Sequence, residues 1–167
     1  MAWTIRLCGP LAVSVGAEAA VLPGRQGRLL FAYLVLNRER DCGRAELIDV
    51  LWPEDPPAAA DSALSALLSK LRKALGDTAL AGRSELRLVP PEPLDVDVEA
   101  ADAAAARAEA AIDDSDWAGA AEHAGAVLAV DLQTFLPDCE GPWVAEQRRE
   151  LEAIRLRALE ALSLIHI

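Results

Sequence analysis

The sequence predicts an α+β domain followed by an all-α domain. Short alternations of apolar and polar residues occur near the N-terminus and around residues 80–89, and leucine-rich helical patterns lie between them. From residue 99 onward the pattern is helical and rich in alanine. The charge divides in the same way, since residues 1–95 carry 11 Lys and Arg against 12 Asp and Glu, whereas residues 96–167 carry 5 against 15. Such asymmetry is typical of two modules with different tasks.

The first elements are predicted to be strands. In WTIRLCGPLAVSV, apolar residues alternate with polar ones on both sides of Gly9-Pro10, which indicates two short strands joined by a turn. The segment AAVLP, which ends at Pro23, is a candidate for a third strand.

Two helices are predicted next. RQGRLLFAYLVLN has the spacing of a buried helix that ends near Asn37. RAELIDVLW is predicted to be a second helix, and Pro53 ends it because the residue before a proline disfavours helical geometry.

The third helix, predicted over residues 61–75, is amphipathic. At about 100° per residue, its leucines form one stripe: Leu64, Leu67, Leu68, Leu71 and Leu75. The opposite face is small, hydroxylated and basic, and no acidic residue follows Asp61 within the helix. A helix that merely faces solvent usually interleaves Glu with Lys, because such pairs stabilise it. Gly76 is predicted to end the helix.

A hairpin and a domain junction follow the third helix. LAGRSELRLV is predicted to form a short hairpin with residues 82–85 at its tip, and the Pro-rich, acidic segment PPEPLDVDVEA is the candidate junction. Beyond it, three helical segments contain small residues at close intervals, as in paired helices of repeat modules. Strands, three helices and a hairpin together describe a winged helix-turn-helix, although a solvated helix in another α/β domain remains an alternative.

Four segments carry a family resemblance: IRLCGPLAVSV, LPGRQGRLLFAYLVLNRER, AELIDVLWPEDPPAAADSALSALLSKLRKALG and FLPDCEGPWVAEQRRELEAIRLRALEAL. In this order they resemble actinobacterial antibiotic-regulatory-type transcriptional activators. The resemblance implies an OmpR/PhoB-like winged-helix DNA-binding domain over residues 1–94. It implies a tetratricopeptide-like bacterial transcriptional activator domain over residues 95–167, which is expected to be truncated because the last helix runs directly into LSLIHI.

The resemblance also implies functional residues and partners. The helix over 61–75 would read promoter DNA, a wing near 80–89 would assist it, and the expected DNA-binding residues are Ser62, Ser65, Ser69, Lys70, Arg72, Lys73, Arg83 and Arg87. Glu54 and Asp55, in the loop before this helix, would contact RNA polymerase. The acidic half is expected to act through protein contacts, including a homodimer.

Departures from the family pattern keep a second interpretation open. Ser62, Ala63, Ser65 and Leu67 stand where relatives often carry Asn or Thr, Gln and an aromatic residue, and Glu85 at the wing tip would repel phosphate. The alternative is a protein-interaction module with a degenerate winged helix.

Several classes of function are not expected. No apolar run approaches the ~20 residues that cross a bilayer, and the N-terminus lacks a signal-peptide pattern, so a cytoplasmic protein without a membrane partner is predicted. The three cysteines lack a CxxC pair, which indicates reduced structural thiols. The acidic turn at Asp114 lacks the later ligands of a calcium loop. His123 has no second ligand at metal-binding spacing, and neither a cofactor nor an enzyme activity is predicted.

Overall fold

The structure is a computed structural model that describes residues 2–166. The chain begins with a small sheet. Strands β1 (Trp3–Arg6), β2 (Ala12–Val15) and β3 (Glu18–Ala20) are antiparallel neighbours, with Trp3 opposite Val15 and Val13 opposite Ala20. The two strands around Gly9-Pro10 are confirmed. The third strand ends at Ala20, so it lies slightly earlier than AAVLP suggested.

Three helices pack next to this sheet. They are α1 (Gly24–Leu36), α2 (Arg44–Leu51) and α3 (Ala60–Leu75). Helix α1 is the central one because residues 29–35 are all buried. It ends as predicted, and the side chain of Asn37 donates to the Tyr33 carbonyl at 2.9 Å. Helix α2 ends before Pro53, also as predicted.

The hairpin after α3 forms a second, three-stranded sheet. Strands β5 (Leu80–Ala81) and β6 (Glu85–Leu88) are antiparallel, and the short strand β4 (Cys42–Gly43) pairs with the other edge of β6. Because β4 pairs with Glu85 and Leu86 and immediately precedes α2, this pairing attaches the tip-side end of β6 to the helical layer.

The predicted junction contains a strand that periodicity analysis did not assign. Strand β7 (Leu94–Val96) runs parallel to β1, with Trp3 opposite Leu94, and completes the sheet order β3-β2-β1-β7. The segment after Pro93 is therefore an integral part of the first sheet. The boundary predicted between residues 94 and 95 lies inside β7.

The second half of the chain is helical. Helix α4 (Asp97–Asp113) packs against α5 (Trp117–Leu128), a 3₁₀ turn covers Leu132–Thr134, and α6 (Pro142–Ile165) crosses both helices. Small side chains allow the close approach, since the buried residues of α4 and α5 include seven alanines: Ala101, Ala104, Ala105, Ala108, Ala111, Ala120 and Ala124.

The two tryptophans of this half differ in their surroundings. Trp143 packs edge-on against Tyr33 and Phe135, with ring centroids 5.0 and 6.2 Å apart. Trp117, in contrast, is 49% exposed at the start of α5.

Polar contacts fix the helical half to the first sheet. The Asp97 carboxylate accepts hydrogen bonds from the backbone N–H groups of Leu7, Cys8 and Val98 at 2.8–3.0 Å. In addition, Leu136 N donates to the Leu7 carbonyl and Gly9 N donates to the Thr134 carbonyl. The winged-helix part and the helical part thus share backbone hydrogen bonds as well as core packing.

The three cysteines are free thiols, and burial raises the pKa of each. The pKa of Cys8 rises to about 12, first through burial and then through the charges of Asp97 and Asp131. A raised pKa keeps the thiol protonated, and the protonated thiol is a poor nucleophile.

We expect all three thiols to react slowly with Ellman's reagent at pH 8 in the folded protein and rapidly in denaturant. A Cys8→Ser variant should lose one equivalent in denaturant and leave the native rate unchanged. A rapid native phase of one equivalent would contradict this assignment of the thiols.

Candidate nucleic-acid interface

Helix α3 divides into the two faces that the sequence predicted. Leu64, Leu68, Leu71 and Leu75 are buried against the rest of the winged helix, and Leu67 is half-buried. The exposed residues of the outer face include every predicted contact of this helix except Arg72, which is half-buried: Ser62, Ser65, Ser69, Lys70 and Lys73. The outer face is therefore solvent-accessible over about three turns, from Ser62 to Lys73.

The ends of α3 place its charges favourably. Asp61 lies in the first turn, whereas Arg72 and Lys73 lie in the last, so each charge opposes the partial charge of the helix end. Gly76 follows with φ +100°, a conformation that L side chains rarely adopt.

The hairpin forms the wing, and its tip is exposed. Arg83, Ser84 and Glu85 all face solvent. Gly82 has φ +90°, and a Cβ atom at this position would collide with the carbonyl oxygen of Glu85, so the tight tip requires glycine.

Two of the predicted contacts are engaged within the protein. Arg72 Nη2 donates to the Gly82 carbonyl at 2.6 Å, which joins the end of α3 to the wing. Arg87 Nε lies 3.0 Å from Asp41 Oδ1, close enough for an ion pair but without the alignment of a hydrogen bond. Both guanidinium groups thus have local partners.

Lys70, Lys73 and Arg83 have no such partner. Within residues 2–166, no carboxylate lies at ion-pair distance from these three side chains. Together with the serine hydroxyls of α3 they form a positively charged surface across the helix and the wing tip.

Sequence reasoning missed Arg44, the first residue of α2. Its guanidinium donates to the Asp61 carboxylate and carbonyl, to Ser65 Oγ, and to the Arg83 carbonyl of the wing. These partners lie 17 to 39 positions away. No local spacing pattern identifies such a residue.

The predicted polymerase-contact loop lies beside the helical half. Glu54 and Asp55 are exposed, and together with Trp52 they line a cleft of about 410 Å³ whose opposite wall is Gly141 and Pro142 at the start of α6. The loop therefore lies next to the start of α6.

Other types of site find little support in the described part of the chain. No cluster of three or more His, Cys, Asp or Glu that could hold a metal ion occurs between residues 2 and 166. The acidic turn acts as a helix cap instead, because Asp116 accepts a hydrogen bond from Gly119 N at 3.0 Å. No helix over the same residues is long and apolar enough to cross a membrane.

Comparison with characterised proteins identifies relatives. No model of a known protein family matches the chain. The regulatory protein AfsR of Streptomyces griseus is 33% identical over 152 residues, which cover 91% of this chain and 16% of AfsR. The transcriptional regulatory protein EmbR of Mycobacterium tuberculosis is 35% identical over 85 residues, which cover 51% of this chain and 22% of EmbR.

A solved structure shows the same fold. The structure of Mycobacterium tuberculosis EmbR in complex with a low affinity phosphopeptide aligns with a TM-score of 0.67 and 26% identity, over 98% of this chain and 43% of that one. The predicted class, a winged helix followed by a helical domain, is thereby confirmed. The chain spans less than half the length of each of these relatives.

Proposed function

We propose that this chain, a homologue of the regulatory proteins AfsR and EmbR, is a DNA-binding transcription regulator that acts as an activator. The resemblance to antibiotic-regulatory-type regulators is confirmed by these relatives. In this proposal, residues 1–94 bind promoter DNA through α3 and the wing, and residues 95–167 form the activator domain.

The exposed face of α3 carries the proposal. It presents three hydroxyls and two lysines without nearby carboxylate partners, on a helix narrow enough for the ~12 Å major groove of B-DNA. Lysines suit phosphate contacts, whereas serine hydroxyls can meet base edges. We assign Lys70, Lys73 and Arg83 to phosphates, and Ser62, Ser65 and Ser69, together with Lys73, to base edges.

Arg72 and Arg87 take a different place in the proposal. Arg72 is bound to the wing and Arg87 is paired with Asp41, so each reaches DNA only by exchanging a protein contact for a phosphate. Their contribution to affinity is therefore expected to be smaller than that of Lys70 or Lys73.

Protein partners are the second part of the proposal. Glu54 and Asp55, exposed beside α6, are proposed to contact RNA polymerase. A homodimer is proposed to bind two half-sites, and dimers of helix-turn-helix proteins place these about one helical turn apart.

Lys73→Ala is expected to weaken DNA binding and to flatten its salt dependence. Each lost phosphate contact lowers the slope of log affinity against log salt by about 0.9. The measurement is fluorescence anisotropy of the full chain on random and promoter-derived duplexes, between about 50 and 200 mM salt. Arg107→Ala removes an equal charge from an exposed position on α4 and is expected to change neither affinity nor slope.

The second candidate function is a protein-interaction module that no longer binds DNA. The engagement of Arg72 and Arg87 and the exposed Glu85 favour it. Absence of binding by a folded chain even at ~50 mM salt, where phosphate contacts are strongest, would select this alternative.

A further inference from the structure

Arg44 connects three separate parts of the proposed DNA-binding surface. Its Nε donates to Asp61 Oδ1 at 2.6 Å, and its Nη2 donates to the Asp61 carbonyl at 2.9 Å and to Ser65 Oγ at 2.6 Å. Its Nη1 donates to the Arg83 carbonyl at 3.2 Å. One side chain, which begins α2, thus holds the first turn of α3 and the tip of the wing.

The contact between Arg44 and the wing supports the tip of the hairpin. Strands β5 and β6 pair over two residue positions and β4 pairs with Glu85 and Leu86, so residues 82–84 at the tip lie outside the strand pairing. Two guanidinium groups supply the missing contacts, because Arg44 binds the Arg83 carbonyl and Arg72 binds the Gly82 carbonyl. The wing is therefore fastened to the helical layer from two sides before DNA arrives.

The contacts with α3 change what DNA would meet. Asp61 is the acidic residue on this helix, and the ion pair with Arg44 offsets the repulsion between its carboxylate and phosphate. Ser65 Oγ accepts from Arg44, so its own proton remains available for donation. Acceptor atoms on base edges, such as guanine N7 and O6, are the groups that this hydroxyl suits.

We propose that Arg44 is a positioning residue of the DNA-binding surface. It holds the wing on α3, compensates Asp61, and presents Ser65 as a hydrogen-bond donor, without itself contacting phosphate. The inference rests on the proposed function for its role in DNA reading, but the fastening of the wing is a property of the free protein.

The first experiment measures the free protein by amide hydrogen exchange of the segment 80–88. Arg44→Ala is expected to accelerate exchange in this segment by about tenfold, because local opening no longer breaks a charged hydrogen bond. Arg44→Lys should do the same, since a lysine ammonium keeps the charge but lacks the planar fork that spans α3 and the wing. Arg107→Ala is the control and should leave exchange unchanged.

The second experiment measures DNA binding of the same variants of this chain across a salt series. Arg44→Ala is expected to weaken binding about tenfold while the salt slope stays at the wild-type value, in contrast to the loss of about 0.9 for each phosphate contact. Arg44→Lys should not restore affinity, because charge alone is not the requirement.

The two experiments separate the possible failures. Unchanged exchange in the wing of the folded Arg44 variants would overturn the inference, and so would a salt slope lowered by about 0.9 or full recovery with lysine. If the Arg44 variants exchange faster in the wing but the wild-type chain binds no DNA, the proposed function is overturned. The role of Arg44 in holding the wing would then still stand.

Discussion

Replacing Asp97 with alanine is expected to lower the free energy of unfolding by about 4 kcal/mol. Asp97 is 5% exposed, and its carboxylate accepts from Leu7 N, Cys8 N and Val98 N. Alanine would leave N–H groups of the segment just after β1 and of the first turn of α4 without partners, and each such buried group costs about 1–3 kcal/mol. Proteins are typically stable by about 5–15 kcal/mol, so this loss is a large share of the total.

Urea denaturation followed by circular dichroism and by tryptophan fluorescence measures this effect. Asp95→Ala is the matched control, because Asp95 pairs with Arg6 at an exposed position and such surface pairs contribute about 0–1 kcal/mol. The free energy of unfolding of Asp97→Asn is expected to lie between those of the wild type and Asp97→Ala. The amide oxygen of asparagine can still accept hydrogen bonds, but its NH₂ group would face other donors. Equal stability of the Asp95 and Asp97 alanine variants would refute the role of the buried carboxylate.

Asp97 lies at the junction between the two halves of the chain. It begins α4 directly after β7, where the chain leaves the winged-helix sheet for the helical domain. The two halves also share one buried core, so the fluorescence and circular dichroism transitions should still coincide in the Asp97→Ala variant, and both should move to lower urea concentration.

The local elements of the winged helix could be predicted from the sequence. The leucine spacing of α3, the alternation around Gly9-Pro10 and the tip at residues 82–85 depend on neighbouring residues. Each signal is periodic, and its period follows from the geometry of a helix or a strand. Those elements accordingly appear where the periodicity placed them.

The junction was harder to predict because its partners are distant. Leu94 and Val96 alternate with Asp95, which is a strand signal, but the pairing with β1 joins residues about 90 positions apart. Acidic composition and prolines suggested a linker instead. Asp97 stands between Val96 and Val98, and an acidic residue between two apolar ones is a signal that its carboxylate accepts hydrogen bonds from buried N–H groups.

The candidate interface shows the same division. Exposure of Ser62, Lys70 and Lys73 follows from the helical period, so sequence reasoning placed them on the outer face. The engagement of Arg72, Arg87 and Arg44 depends on how the wing folds back on the helices. Composition reveals how many cations a surface has, whereas the fold determines which of them are free.

Replacing Arg148 with alanine is the second substitution with a large expected effect, a loss of about 3 kcal/mol in the free energy of unfolding. From α6, the Arg148 guanidinium donates to the carbonyls of Phe135, Leu136 and Cys139 at 2.8–3.2 Å. These three residues are buried, and Leu136 has φ +42°, a strained value for a side chain of this size. The guanidinium therefore holds a loop that would not keep this conformation alone.

Thermal unfolding measures the effect, and Arg149→Ala is the matched control because the next residue on α6 is exposed. For a chain of this length, about 3 kcal/mol corresponds to a fall in Tm of roughly 6–12 °C. The loop also donates from Leu136 N to the Leu7 carbonyl, so loosening it weakens the attachment of the helical half to the segment just after β1. Arg148→Lys should recover little, since one ammonium cannot reach three carbonyls in the arrangement of a planar fork. If Arg148→Ala and Arg149→Ala have the same Tm, the loop is held by packing of Phe135 and Leu136, and the Arg148 guanidinium contributes no net stability.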